Sequence, residues 1–285
     1  MNLKEFIHES KGTNLAPEEY VSVVGVVKKC INLFSMRVKP RTYPVTPRYF
    51  SVLNIKKHIS SKPRYLVLDK IRLLDKESNT YKVIKILVVY NHPTTSDEAV
   101  FLKETNEIIL FYDTLYNASY YKLFEIVSHE IIHAIQYYKK TSLKYTKAVS
   151  RDINNDPELQ YTYYTEPLEF EATVGGILAK INAMYNNYIE RIIDYREKDD
   201  KGAELYFVRK LSVFLKEYRQ LATSPFDVYL THQELDLPVN MREREQFLST
   251  IQNNKKLKRK YQSAMLSLID SLYADSIRKN IELDL

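Results

Sequence analysis

The chain of 285 residues has no tryptophan and a single cysteine. One thiol cannot close an intramolecular disulfide, so no disulfide framework is expected. Cys30 stands among Val26, Val27 and Ile31 and reads as a core position. Glycine (5) and proline (10) are scarce, which argues for long regular elements and against a loop-rich or repeat fold. No stretch approaches the roughly eighteen apolar residues of a membrane span, so a membrane partner is not expected. Met1 to Ser10 alternates charges and lacks an apolar core, so no secretory signal is expected and synthesis in the cytoplasm follows.

What is present begins with charge and tyrosine. The net charge of +6 suggests mild affinity for acidic partners. The densest basic run, Lys255, Lys256, Lys258, Arg259 and Lys260, reads as the solvated face of a C-terminal helix. No aromatic residues interleave it, so a nucleic-acid partner is not expected. The 24 tyrosines can pack in a core while offering a hydroxyl, and their number carries no function by itself.

Taken in order, residues 1 to 14 read as an exposed leader. Pro17, with Glu18 and Glu19 behind it, opens a helix to about Met36 that should bury Val21, Val24, Val27, Cys30, Ile31 and Phe34. Arg37 to Pro47 holds three prolines and reads as irregular or extended. Tyr65 to Leu68 and Tyr81 to Tyr90 read as strands, the second β-branched enough for a central position. Ala99 to Leu102 and Ile108 to Tyr112, joined through Glu104-Thr105-Asn106, read as a hairpin. His92, beside Pro93, reads as a turn residue. A helix is expected from Ala118 to Lys140, then a polar connection from Thr141 to Thr165. Helices are expected at about 167–196, 202–222, 240–250 and 254–280. The fold class is thus α+β: a small sheet with a helix laid on one face, followed by a mostly α-helical lobe. The expected divisions are an N-terminal helical segment at 1–48, a core at 49–196 and a helical lobe at 197–285.

The Ala118–Lys140 helix carries His129-Glu130-Ile131-Ile132-His133. Chance gives H-E-x-x-H in about one chain in a hundred of this composition. Four residues advance a helix by slightly more than one turn, so both imidazoles share a face and can share a zinc ion. Glu130 projects beside that position, where it can take a proton from a metal-held water. Glu125, His129, His133 and Gln136 form a polar stripe on a helix otherwise apolar, so the stripe should face a cleft or partners. A third ligand must come from elsewhere. Glu169 and Glu171 fall in the first two turns of the helix opened by Pro167, and both are candidates. Gly175, four residues after Glu171, shares its face and would let the backbone pass close to the metal helix.

His129-Glu130-Ile131-Ile132-His133-Ala134-Ile135-Gln136, followed by Tyr163-x-x-x-Pro167-x-Glu169-x-Glu171-Ala172, resembles the zincin metallopeptidases of the gluzincin type. It looks closest to small bacterial and phage-encoded members with that downstream signature. The resemblance covers residues 82 to about 185. The metzincin pattern is absent, since no glycine and third histidine follow His133 at its spacing. The resemblance implies a zincin-like core with Zn²⁺ held by His129, His133 and a glutamate of the following helix. The glutamate commonly precedes alanine, which selects Glu171 over Glu169. Glu130 is the expected general base, Tyr163 and Tyr164 either donate a hydrogen bond to a developing oxyanion or pack in the core at the loop–helix junction, and Glu169 would then stand behind the ligands.

The expected activity is zinc-dependent hydrolysis of a peptide or protein substrate. An edge strand of the hairpin, Ala99–Leu102 or Ile108–Tyr112, is a candidate for binding substrate backbone. The alternative is a non-catalytic structural or interaction protein, such as a virion component, that retains a zincin fold and zinc site. The Lys/Asn/Ile/Tyr-rich composition and the large helical lobe motivate that alternative. A dedicated protein partner cleaved by the same chemistry is a third possibility.

Overall fold

Helices end where capping groups stand, and the chain has these at several junctions. Ser119 accepts the Lys122 amide on its side-chain oxygen at 3.2 Å, and the helix with the histidines starts at Tyr120. Asn254 does the same for Leu257 at 3.2 Å, ahead of the last helix. Pro167 occupies the first turn of another. In the computed structural model, residues 17–35, 42–44, 64–75, 78–90, 98–116, 118–139, 165–223 and 254–283 are described. They form an α+β structure of α1 (Pro17–Ser35), β1 (Tyr43–Pro44), β2 (Arg64–Asp75), β3 (Thr80–Tyr90), β4 (Ala99–Leu102), β5 (Glu107–Phe111), α2 (Tyr112–Leu115), α3 (Tyr120–Lys139), α4 (Pro167–Glu197), α5 (Lys201–Thr223) and α6 (Lys255–Arg278).

The packing divides the chain into two units, one within Pro17–Lys144 and one within Tyr145–Leu285. In the first, α1 packs on β2 and α3; in the second, α4 packs on α5 and α6.

The first unit is built on a mixed sheet in the order β1-β2-β3-β5-β4. β3 pairs antiparallel with β2 and parallel with β5, and β4 pairs antiparallel with β5. β3 is therefore central, as its β-branched run suggested, and Ile86, Leu87, Val88 and Val89 are all buried. Among the described residues β4 is the outer strand, so of the two hairpin strands only Ala99–Leu102 has an edge that no described strand pairs. Asn106 closes this hairpin at φ 56°, a left-handed conformation that asparagine tolerates. β2 is longer than the Tyr65–Leu68 expected, and its register shifts between Val67 and Asp69. β5 reaches only Lys85 of β3, so the β2–β3 hairpin runs on past it, with Tyr81 68% exposed.

One sheet face carries both long helices of this unit. Phe101, paired with Ile108, meets Tyr137 of α3 with ring centroids 6.1 Å apart. Lys29 of α1 pairs with Asp69 at 2.7 Å, and Asp69 lies opposite Ile86. On the opposite face Leu87, Val89, Leu102, Ile109 and Phe111 form an apolar cluster. The buried side of α1 is Val23, Val26, Val27, Cys30 and Leu33. The expected side through Val24, Ile31 and Phe34 is only half-buried, a rotation of the helix about its axis. Burial, with Asp69 nearby, pushes the Cys30 thiol up to about 12.

Among the described residues the second unit is an assembly of α4, α5 and α6. Asp199, at φ 55°, ends α4, and Asp200 accepts the Ala203 amide at 3.1 Å to start α5. Tyr185, Phe214, Tyr218 and Tyr261 are fully buried. The Tyr185 hydroxyl donates to Asp275 Oδ2 at 2.8 Å and lies 3.1 Å from Ser276 Oγ. Arg196 pairs with Glu204 at 2.7 Å and donates to the carbonyls of Lys279 and Asn280. Among the described residues no helix is long and apolar enough to cross a membrane. The expected leader at 1–14, His92, the connection at 141–164 and the helix at 240–250 lie outside the described residues.

Candidate metal centre

α3 is the most buried helix of its unit. Leu123, Phe124, Ile126, Val127, Ile131, Ile132 and Ala134 bury its apolar sides. Its polar stripe is also largely enclosed: His133 and Gln136 are buried, Glu125 and His129 are half-buried, and Glu130 beside the stripe is buried. Burying polar groups costs free energy unless they find partners, so their arrangement is informative.

The two imidazoles face each other. His129 Nε2 and His133 Nε2 are 3.0 Å apart, with ring centroids 4.6 Å apart and planes at 80°. The other nitrogen of His133, Nδ1, lies 3.0 Å from Gln136 Oε1. An amide oxygen only accepts, so Nδ1 carries the proton of the neutral ring. Nε2 of His133 then keeps its lone pair.

The expected third ligand, a glutamate of α4, belongs to the second unit. Two residues apart on a helix, Glu169 and Glu171 point about 200° apart, so one helix orientation presents only one of them to a given point. Tyr163 and Tyr164 lie outside the described residues.

The donor set suits zinc. Two neutral imidazoles and a carboxylate, with a fourth position left over, is a composition zinc accepts in catalytic sites. Tetrahedral coordination at about 2.0–2.1 Å holds two ligand nitrogens about 3.3–3.4 Å apart. The observed 3.0 Å needs an opening of only a few tenths of an ångström. Metal ligation at His129 Nε2 also requires that nitrogen to carry no proton.

The sequence reading placed Gln136 on the polar stripe but gave it no role. Its i+3 spacing from His133 was the available signal. Comparison with protein-family models, curated proteins and solved structures finds no match to this chain.

Proposed function

We propose that the chain is a zinc-dependent metallopeptidase of the gluzincin type, with His129, His133 and a glutamate of α4, Glu169 or Glu171, as metal ligands and Glu130 as general base. The observation that carries this reading is the pair of imidazoles with Nε2 atoms 3.0 Å apart on one helix, next to a buried Glu130. Zinc, when bound, supplies a Lewis acid for the scissile carbonyl and lowers the pKa of a water towards about 7.

The chain's own residues do the rest. Glu130 takes a proton from the attacking water onto a carboxylate oxygen. The water oxygen bonds to the carbonyl carbon, and the C–N bond of the tetrahedral adduct breaks. Glu130 then gives the proton to the departing amine nitrogen, which returns it to its starting state. The enclosure of α3 keeps bulk water from this exchange. The edge of β4 that no described strand pairs offers backbone groups to an extended peptide, which suits a peptide substrate.

Glu130→Gln tests the reading, because it keeps the side-chain shape and removes the base. Zinc content should stay near wild type while hydrolysis of a broad peptide library falls by at least about a hundredfold. A wild-type protein that binds zinc and cleaves nothing would favour the structural or virion-component alternative. Equal hydrolysis by wild type and Glu130→Gln would remove the assigned base.

A further inference from the structure

The geometry points to Gln136 as a positioning residue that selects the tautomer of His133 and so presents its Nε2 lone pair to the shared metal position. This deepens the proposed zinc site and rests on that reading for its functional consequence. Three observations carry it. Gln136 sits one turn after His133 on the same face of α3. Its Oε1 is 3.0 Å from Nδ1, in line to accept a proton from that nitrogen. Both side chains are buried, 7% and 6% exposed, so water does not readily replace the amide as a partner.

The physical argument concerns a choice between two neutral forms. A free neutral imidazole in water carries its proton on either nitrogen, and only the form protonated on Nδ1 leaves Nε2 able to bind a metal. A fixed acceptor on the Nδ1 side biases this choice before any ligand arrives. It also holds the ring plane, which a lone Cα–Cβ–Cγ linkage would let rotate. The 80° angle between the two imidazole planes directs the His133 Nε2 towards His129 Nε2 rather than stacking the rings.

The effect has a spectroscopic signature that a merely space-filling role lacks. In metal-free protein labelled with ¹⁵N-histidine, the long-range proton–nitrogen spectrum should show His133 in the Nδ1–H form. Gln136→Leu removes the acceptor at similar size and should shift the ring to a mixture of tautomers. Gln136→Glu restores an acceptor and should restore the Nδ1–H form. Circular dichroism of each variant checks that the helix is intact. In parallel, zinc titration should show Gln136→Leu weaker by about ten- to a hundredfold, as loss of a partner behind a ligand does. Gln136→Glu should fall within a few-fold of wild type.

An unchanged Nδ1–H tautomer in Gln136→Leu overturns the proposal, whatever the zinc titration shows. So does a Gln136→Leu zinc affinity within about twofold of wild type. If wild type takes up no zinc but the tautomer follows Gln136 as described, the positioning role stands and the metal reading fails. If Gln136→Leu does not fold, Gln136→Met replaces it, again leaving Nδ1 without an oxygen acceptor, and the same two outcomes apply.

Discussion

α3 and α4 are both long and mostly buried, yet they bury different kinds of polar group. In α3 the buried His133 and Gln136 and the half-buried His129 gather along one stripe with the buried Glu130 beside it, and the imidazoles meet each other. In the helical unit, the buried hydroxyl of Tyr185 reaches Asp275 and Ser276 of α6, a tie between helices. Polar groups that tie elements together make structure. Polar groups that converge on one point with lone pairs directed inwards are arranged for a ligand. The comparison can be broken or sharpened by experiments of decreasing expected size.

The largest effect should come from the helical core. Phe214→Ala removes a fully buried ring, and the protein should lose about 3–5 kcal/mol of stability by urea unfolding. A loss below about 1 kcal/mol would mean that this core is not packed as described. Next in size is Glu130→Gln, whose hydrolysis loss of at least about a hundredfold should come without a matching loss of stability. If its main effect were unfolding, α3 would be a structural helix like α4.

Tyr185→Phe should cost about 1–2 kcal/mol, since it removes the hydrogen bond to Asp275. The same tyrosine predicts a pH dependence. Burial, together with the nearby Asp275, holds its phenol protonated above the ordinary value of 10.0. Below about pH 10 both folded and unfolded tyrosine are neutral, so its contribution is fully present. Above it the unfolded chain ionises first and binds fewer protons, so stability falls as pH rises. That alkaline decline should be smaller in Tyr185→Phe, and an equal decline in both proteins would assign it to other groups.

The smallest effect concerns Cys30. Its thiol is buried in the sheet unit and pushed up to about 12. A disulfide reagent at neutral pH should therefore label it only as fast as that unit opens. Immediate labelling of native protein would place Cys30 at the surface.

Much of this architecture can be read from the amino-acid order, and the reason differs by element. α3, expected at Ala118–Lys140 and found at Tyr120–Lys139, has both apolar periodicity and Ser119 as its cap. α4 starts where Pro167 placed it. β2 was legible only at Tyr65–Leu68, because Asp69, Lys70 and Arg72 interrupt its apolar pattern. It continues through them by pairing with β3, which is tertiary information. The histidine pair was legible because i and i+4 are neighbours on any helix. The third ligand is not legible in this way, because Glu169 and Glu171 point about 200° apart on α4 and local spacing does not choose between them.

The zinc content of protein purified without added metal tests the central claim most directly. Elemental analysis should find about one zinc per wild-type chain and little in His133→Ala. One of Glu169→Gln and Glu171→Gln should lose most of its zinc, while the other remains near wild type. A full complement of zinc in His133→Ala, or in both glutamate variants, would contradict the site proposed for this chain.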